Sequence, residues 1–295
     1  MTTPVLYDVQ GPKARRRVLV SSLVGALVLL ALGALVLQRL ADNEQLDYEK
    51  YEPFLTEPLL YERLFEALQN TLIAAVYALV LATVLGIVLA FGRLSQRWFI
   101  RLPAVAVVEF FRGVPLLLLI LFFFLAFPLA FDVELPALWS LVLGLTLYNG
   151  AVIAEIVRAG VLAIPKGQTE AASAIGLGRG PTLRIVLLPQ ALRIMLPALI
   201  SQLVVLLKDT SLGFVIGYAE LLRTGGQLVQ VLDNPIQLYL AIALIYVVIN
   251  YGLSLLARWV EGRQRRKTGP GSAAPLSQLA TGVDPGASAG LGGPR

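Results

Sequence analysis

The sequence contains no cysteine and no histidine in 295 residues. Disulfides, thiolate nucleophiles and imidazole metal ligands are therefore excluded, together with the side chain that most often moves protons near neutral pH. Charge is scarce, at 15% of residues, and no GxxxxGK[ST] phosphate-binding loop occurs. The nearest stretch, Gly160 to Lys166, has Pro165 where the second glycine would let a phosphate meet backbone N–H groups. If a nucleotide drives this protein, another chain binds it. No internal repeat is evident, which argues against a two-fold transporter built within one polypeptide.

Apolar residues fill this gap, at 57% of the chain, with a mean hydropathy of +0.76. They come in runs long enough to cross about 30 Å of hydrocarbon at roughly 1.5 Å per helical residue, so an all-α integral membrane protein is expected. Six spans are predicted, at residues 18–37, 68–91, 104–127, 137–160, 191–217 and 236–257. Arg15, Arg16 and Arg17 precede the first, as they would a signal peptide. The absence of a convincing cleavage site and the sequel Gln38, Arg39, Leu40 favour a retained helix.

Charge sets the orientation. With both termini cytoplasmic, residues 1–17, 92–112, 158–193 and 258–295 hold 19 of the 24 Lys and Arg, whereas the outside segments hold 13 of the 19 acids. Lys and Arg in short loops are retained inside during insertion, so the loop between the fourth and fifth spans is expected in the cytoplasm. The basic residues lie beside span ends, which fits anionic lipid and not nucleic acid. Residues 38–67 read as an acidic external segment with Pro53 and Pro58, residues 68–260 as the core of five spans, and residues 261–295 as a disordered cytoplasmic tail.

Residues 165–190, PKGQTEAASAIGLGRGPTLRIVLLPQ, are too polar for the bilayer and too short to fold alone. Pro165 suits a helix start, Thr169 and Glu170 place an acid near the positive end of the helix dipole, and Gly176 and Gly178 supply a stop. Between them Ala171, Ala172, Ser173 and Ala174 form a narrow surface able to approach a groove closely, while Leu188 and Pro189 mark re-entry into the membrane. An ordinary interfacial helix with incidental small residues is the competing reading.

The pattern Glu170-Ala171-Ala172, Gly176, Val186, Leu188-Pro189 resembles the EAA loop of permease subunits in bacterial ABC importers, with valine at 186 where isoleucine is usual. VEFFRGVPLLLL (108–119), YNGAVIAEIVRAGVLAIPKGQTEAA (148–172) and LLKDTSL (206–212) are similar to the permeases for polar amino acids of the histidine, glutamine and glutamate type. The extra first span and RLADNEQLDYEKYEPF resemble the actinobacterial glutamate permeases in particular. The resemblance implies a type I importer permease fold, and a coupling helix in which Lys166, Gly167, Glu170, Ala171, Ala172, Gly176, Leu188 and Pro189 meet a separate ATPase subunit. It further implies a second permease subunit, as homo- or heterodimer, and an extracellular solute-binding protein. ATP and Mg would bind the ATPase, and this chain would bind no cofactor or metal.

Ionisable residues within or near the spans are costly and usually face protein or water. Glu109 and Arg112, and Glu155 and Arg158, are each three apart, a spacing that allows structural ion pairs on one helix face. Lys208, Asp209, Thr210 and Ser211 form the densest polar cluster in an apolar stretch and are expected to interrupt the fifth helix. A Lys–Asp pair flanked by hydroxyls could replace part of the hydration that a zwitterionic substrate loses, with Asn149 as a comparable candidate; an interfacial salt bridge and interhelical glue are the plain alternatives. An ion-gradient transporter would need its own coupling-ion site, for which the deep acids are few, and no constellation for a membrane enzyme is evident.

Overall fold

A computed structural model describes residues 11–267. Of the tail expected to be disordered, residues 261–295, the first seven are helical and residues 268–295 lie outside the described part, as do residues 1–10. Every regular element among the described residues is helical. The long helices are α1 (Pro12–Asp42), α2 (Pro58–Leu94), α3 (Trp98–Gly113), α4 (Leu116–Phe131), α5 (Ala137–Leu162), α6 (Lys166–Ala174), α7 (Leu188–Asp209), α8 (Leu221–Leu232) and α9 (Pro235–Lys267).

Among the described residues, five helical stretches are long and apolar enough to cross a membrane: α1, α2, α5, the stretch Arg179–Ile216 that contains α7, and Pro235–Leu256 within α9. The predicted third span is broken. Its halves, α3 and α4, are bent by 100° at Val114 and Pro115, where the proline ring disfavours a helical conformation in the residue before it. Counting that pair as one span recovers the six expected.

Proline marks most other irregularities too. Pro12, Pro53 and Pro58 sit at helix starts, where the missing N–H has no partner to lose. Pro128 and Pro189 lie just beyond π-helical turns at Phe122–Ala126 and Thr182–Leu187. Each ring would strike the carbonyl four residues back, and a turn widened by one residue moves that carbonyl aside. The second span is predicted to start at residue 68, yet α2 begins at Pro58, because its first turns bury Leu60, Leu64 and Ala67 against Leu221, Leu238 and Ile242. At the other end of the chain α9 runs on to Lys267, seven residues beyond the expected core.

The chain divides into two compact units. Among the described residues, the first comprises residues 11–82, Phe111–Asn149 and Leu206–Val248; the second comprises Thr83–Phe110, Gly150–Val205 and residues 249–267. In the first, Gly144 packs on Ile120 and Gly213 on Leu141, where an added Cβ would lie 2.7 and 3.0 Å from the neighbouring side chain. In the second, a Cβ on Gly86 would lie 2.6 Å from Ile153 Cγ2 and 2.9 Å from the Gly150 carbonyl. These glycines thus serve close helix packing. The apolar helix α1 buries none of its residues.

The segment after α1 is tied to the turn between α8 and α9. Lys50 Nζ donates to the Asp233 carbonyl at 2.8 Å, Asn234 Nδ2 to the Lys50 carbonyl at 3.3 Å, and Gln237 Nε2 to the Gln45 carbonyl at 2.6 Å.

Candidate functional site

The loop between α5 and α7 belongs to the second unit. Gln168 N donates to the Pro165 carbonyl and opens α6. At the other end Gly176 N donates to Ser173 O, and Leu177 N to Ala172 O. Gly176 takes φ +80, the left-handed conformation that closes a helix and that only glycine adopts without strain. The helix and its stop therefore lie where the residues place them.

The orientation of the small-residue surface needs correction. Ala172 is 3% exposed, turned into the unit and not outward, whereas Lys166, Gly167, Glu170, Ala171, Ser173, Ala174 and Gly176 are all exposed. Ile175 is 77% exposed beside them, an apolar contact that the sequence reading missed. One methyl on the inner face lets α6 lie close against its support, and the outer face is left for another surface. Gln190 Nε2 bridges α6 and α7, donating to Gln168 Oε1 at 3.1 Å and to the Val186 carbonyl at 2.9 Å. Val161, Ile164 and Ala191 form an apolar base with Leu94, Leu183 and Leu187. Leu188 is half-buried and Pro189 exposed at the start of α7.

A charge network lies in the same unit. Arg158 donates to both Glu155 carboxylate oxygens, as the three-residue spacing predicts. Glu109 ion-pairs at 3.2 Å with Arg93, which also lies 3.0 Å from Glu155. Arg93, unrecognised from sequence, is the hub: its side chain is 8% exposed and links α2, α3 and α5. Its Nε and Nη1 make no aligned hydrogen bond, so the link is mainly electrostatic. Arg112 lies in the other unit.

The polar cluster at the far end of α7 belongs to the first unit. The helix ends at Asp209 and tightens into a 3₁₀ turn over Thr210–Ile216, an interruption placed where expected. Lys208 and Asp209 form no ion pair, however, because adjacent residues on a helix point about 100° apart. Thr210 Oγ1 donates to Leu207 O at 2.6 Å and Ser211 Oγ to Lys208 O at 2.8 Å. Asn149 is fully buried, with Nδ2 donating to Leu145 O at 2.9 Å.

A buried acid absent from the sequence reading organises the stretch beyond. Glu220, 0% exposed, accepts from Leu222 N at 2.8 Å and Arg223 N at 2.7 Å, capping α8. Tyr246 donates to it at 3.1 Å. Burial raises the Glu220 pKa, against the pull of these donors. Burial, helped by the Glu220 charge, also pushes the Tyr218 phenol up to about 12. Tyr218 donates to Asn70 O, Asn70 Nδ2 to Ala219 O, and Leu221 N to Thr71 Oγ1, fixing this stretch to α2. Beside it opens a cleft of about 410 Å³, lined among others by Arg63, Glu66, Asn70, Thr224 and Gln227. The signal in the sequence was an isolated acid ahead of an amphipathic run, too common a pattern to single out.

No group of three or more acidic side chains that could hold a metal ion occurs among the described residues.

Residues 54–266 match the family model described as "Binding-protein-dependent transport system inner membrane component". The chain is 41% identical over 229 residues to the glutamate transport system permease protein GluD of Corynebacterium glutamicum, covering 77% of this chain and 84% of the relative. It is 37% identical over 203 residues to the glutamine transport system permease protein GlnP of Escherichia coli, covering 68% and 93%. Among solved structures it resembles a chain from an amino acid ABC transporter crystallised with histidines, at TM-score 0.67 and 32% identity over 71% of this chain and 98% of that one. A chain of the MetNI methionine ABC transporter in an inward-facing conformation shares the fold at TM-score 0.59 and 22% identity, over 70% and 98%. The helical architecture is thus that of type I ABC importer permeases, and the chain belongs to the family of binding-protein-dependent transport system inner membrane components, the multi-pass permease subunits that work with a separate ATPase.

Proposed function

We propose that this chain carries a polar amino acid, glutamate or a related one, inward across the plasma membrane, and that α6 receives the driving movement from the ATPase subunit. The observation that carries this reading is the exposed outer face of α6, closed by left-handed Gly176, with Ala172 buried on its inner side and Gln190 of α7 bonded to Gln168. The excess of Lys and Arg in the segments on that side supports a cytoplasmic position for that face and both termini. The substrate class rests on the relatives named for glutamate and glutamine. ATP and Mg bind the partner, while this chain binds neither a cofactor nor a metal. A second permease subunit completes the membrane core, and an extracellular binding protein delivers the substrate. Asn149, the Lys208–Ser211 break and the cleft beside Glu66 are the candidate substrate contacts.

Because the chain has no cysteine, a single cysteine at Ala171, whose side chain is exposed, is a unique handle. It is expected to cross-link to the co-expressed ATPase subunit and to resist impermeant reagents added outside intact cells. Labelling from outside would refute the topology. Gly176→Leu is expected to abolish ATP-dependent glutamate uptake in proteoliposomes while leaving the protein in the membrane; uptake at the normal rate, or uptake driven by an ion gradient without the ATPase, would overturn the coupling.

A further inference from the structure

Where α1 reaches the end of its apolar run, it stands beside the start of α9, and the two leave a groove of about 390 Å³ between them. Leu35, Val36 and Leu40 form one wall, Pro235 and Ile236 the other. All lie in the first unit. Among the described residues, the one cationic side chain lining the groove is Arg39, in the last turn of α1. It is exposed and has no carboxylate within ion-pair distance among the described residues. The gap stays open because α1 buries none of its residues; hydrogen bonds and an ion pair in the following segment hold it in place, not side-chain packing.

We propose that this groove is a binding site for an anionic phospholipid. Its walls belong to apolar runs of membrane-spanning length, so the medium that meets them is lipid and not water. An acyl chain would lie against the leucines, Val36 and Ile236. Arg39, at the polar end of the run, offers the planar fork of donors that matches phosphate oxygens, and a cation at a helix end beside the interface attracts a negatively charged headgroup. An apolar trough with one unpaired guanidinium at its rim has the two-part chemistry of a phospholipid. The lipid would complete the contact between α1 and α9 that the protein leaves unfilled. The outer leaflet follows from the topology proposed above; the binding itself does not depend on it.

The test is native mass spectrometry of the full-length chain in detergent with added phosphatidylglycerol or phosphatidylcholine. One phosphatidylglycerol should be retained per chain, about fivefold more readily than phosphatidylcholine, the effect expected of one basic residue near an anionic headgroup. Arg39→Gln should erase the preference while acyl-chain binding persists. Val36→Trp, which fills the trough, should reduce retention of both lipids. Equal retention of the two lipids by the unaltered chain, or unchanged behaviour in both variants, would overturn the proposal. So would a change in subunit stoichiometry with lipid retention intact in Val36→Trp, because the trough would then be a protein contact. Uptake is not part of the readout, so failure of the transport reading and failure of this one are separable.

Discussion

Replacing Arg93 with methionine keeps most of the apolar stem and removes the guanidinium that faces both Glu109 and Glu155. Losing one partner of a buried ion pair costs about 3–5 kcal/mol, because the charge left behind is poorly solvated. That figure is an upper bound here. Glu109 is 56% exposed, and its share falls within the roughly 0–1 kcal/mol of surface pairs. Glu155 is 24% exposed and keeps Arg158, which softens its loss. A net destabilisation of about 2–3 kcal/mol is therefore expected, most of it through Glu155. At roughly 2–4 °C per kcal/mol this lowers the melting temperature of the detergent-solubilised protein by about 4–12 °C. A double-mutant cycle locates the energy: Arg93→Met with Glu155→Gln should show a coupling of about 1–3 kcal/mol, and Arg93→Met with Glu109→Gln less than about 1 kcal/mol. A coupling to Glu155 below about 0.5 kcal/mol, or one no larger than that to Glu109, would refute the assignment of Arg93 as the hub.

Gly86→Ala should destabilise by about 1–3 kcal/mol, since the new methyl meets Ile153 and the Gly150 carbonyl; thermal unfolding should show partial recovery when Ile153→Ala is added, and no recovery would place the strain elsewhere. Glu220 gives a pH signature. Its folded pKa lies above the ordinary 4.5, so the folded state holds the proton more tightly and stability falls as pH rises from about 4.5 through the raised value, then levels off. Glu220→Gln should flatten that slope in melting curves taken from pH 4.5 to 8, and an unchanged slope would assign it to another group.

The fold was legible where one physical cause dominates. Hydropathy alone found α1 and α5, because a bilayer tolerates no other element of that length and composition. Gly176 and Pro165 bounded α6 from local backbone chemistry. Hydropathy could not place the start of α2, because the signal ends where charged residues such as Arg63 and Glu66 appear, while the helix continues to bury Leu60 and Leu64 outside the apolar run. Arg93 was invisible because its partners lie 16 and 62 positions along the chain, and nothing local in its neighbourhood encodes them. Ala172 was legible as a small residue but not as an inward one; four similar residues in a row do not reveal which of them faces the support. Lys208 and Asp209 show the opposite hazard, since neighbours in sequence point apart on a helix.

The widened turn at Thr182–Leu187 has a mechanical consequence. It joins the exposed knuckle to the membrane-embedded part of α7, and beyond it Pro189 contributes no amide hydrogen to the ladder. A wide turn followed by a missing ladder hydrogen bond is expected to yield in torsion more easily than the regular helix beyond it. Under the coupling proposed above, part of any twist arriving from the loop would be stored there, and the compliance of these few residues would set the fraction of each stroke that arrives deeper in the bilayer.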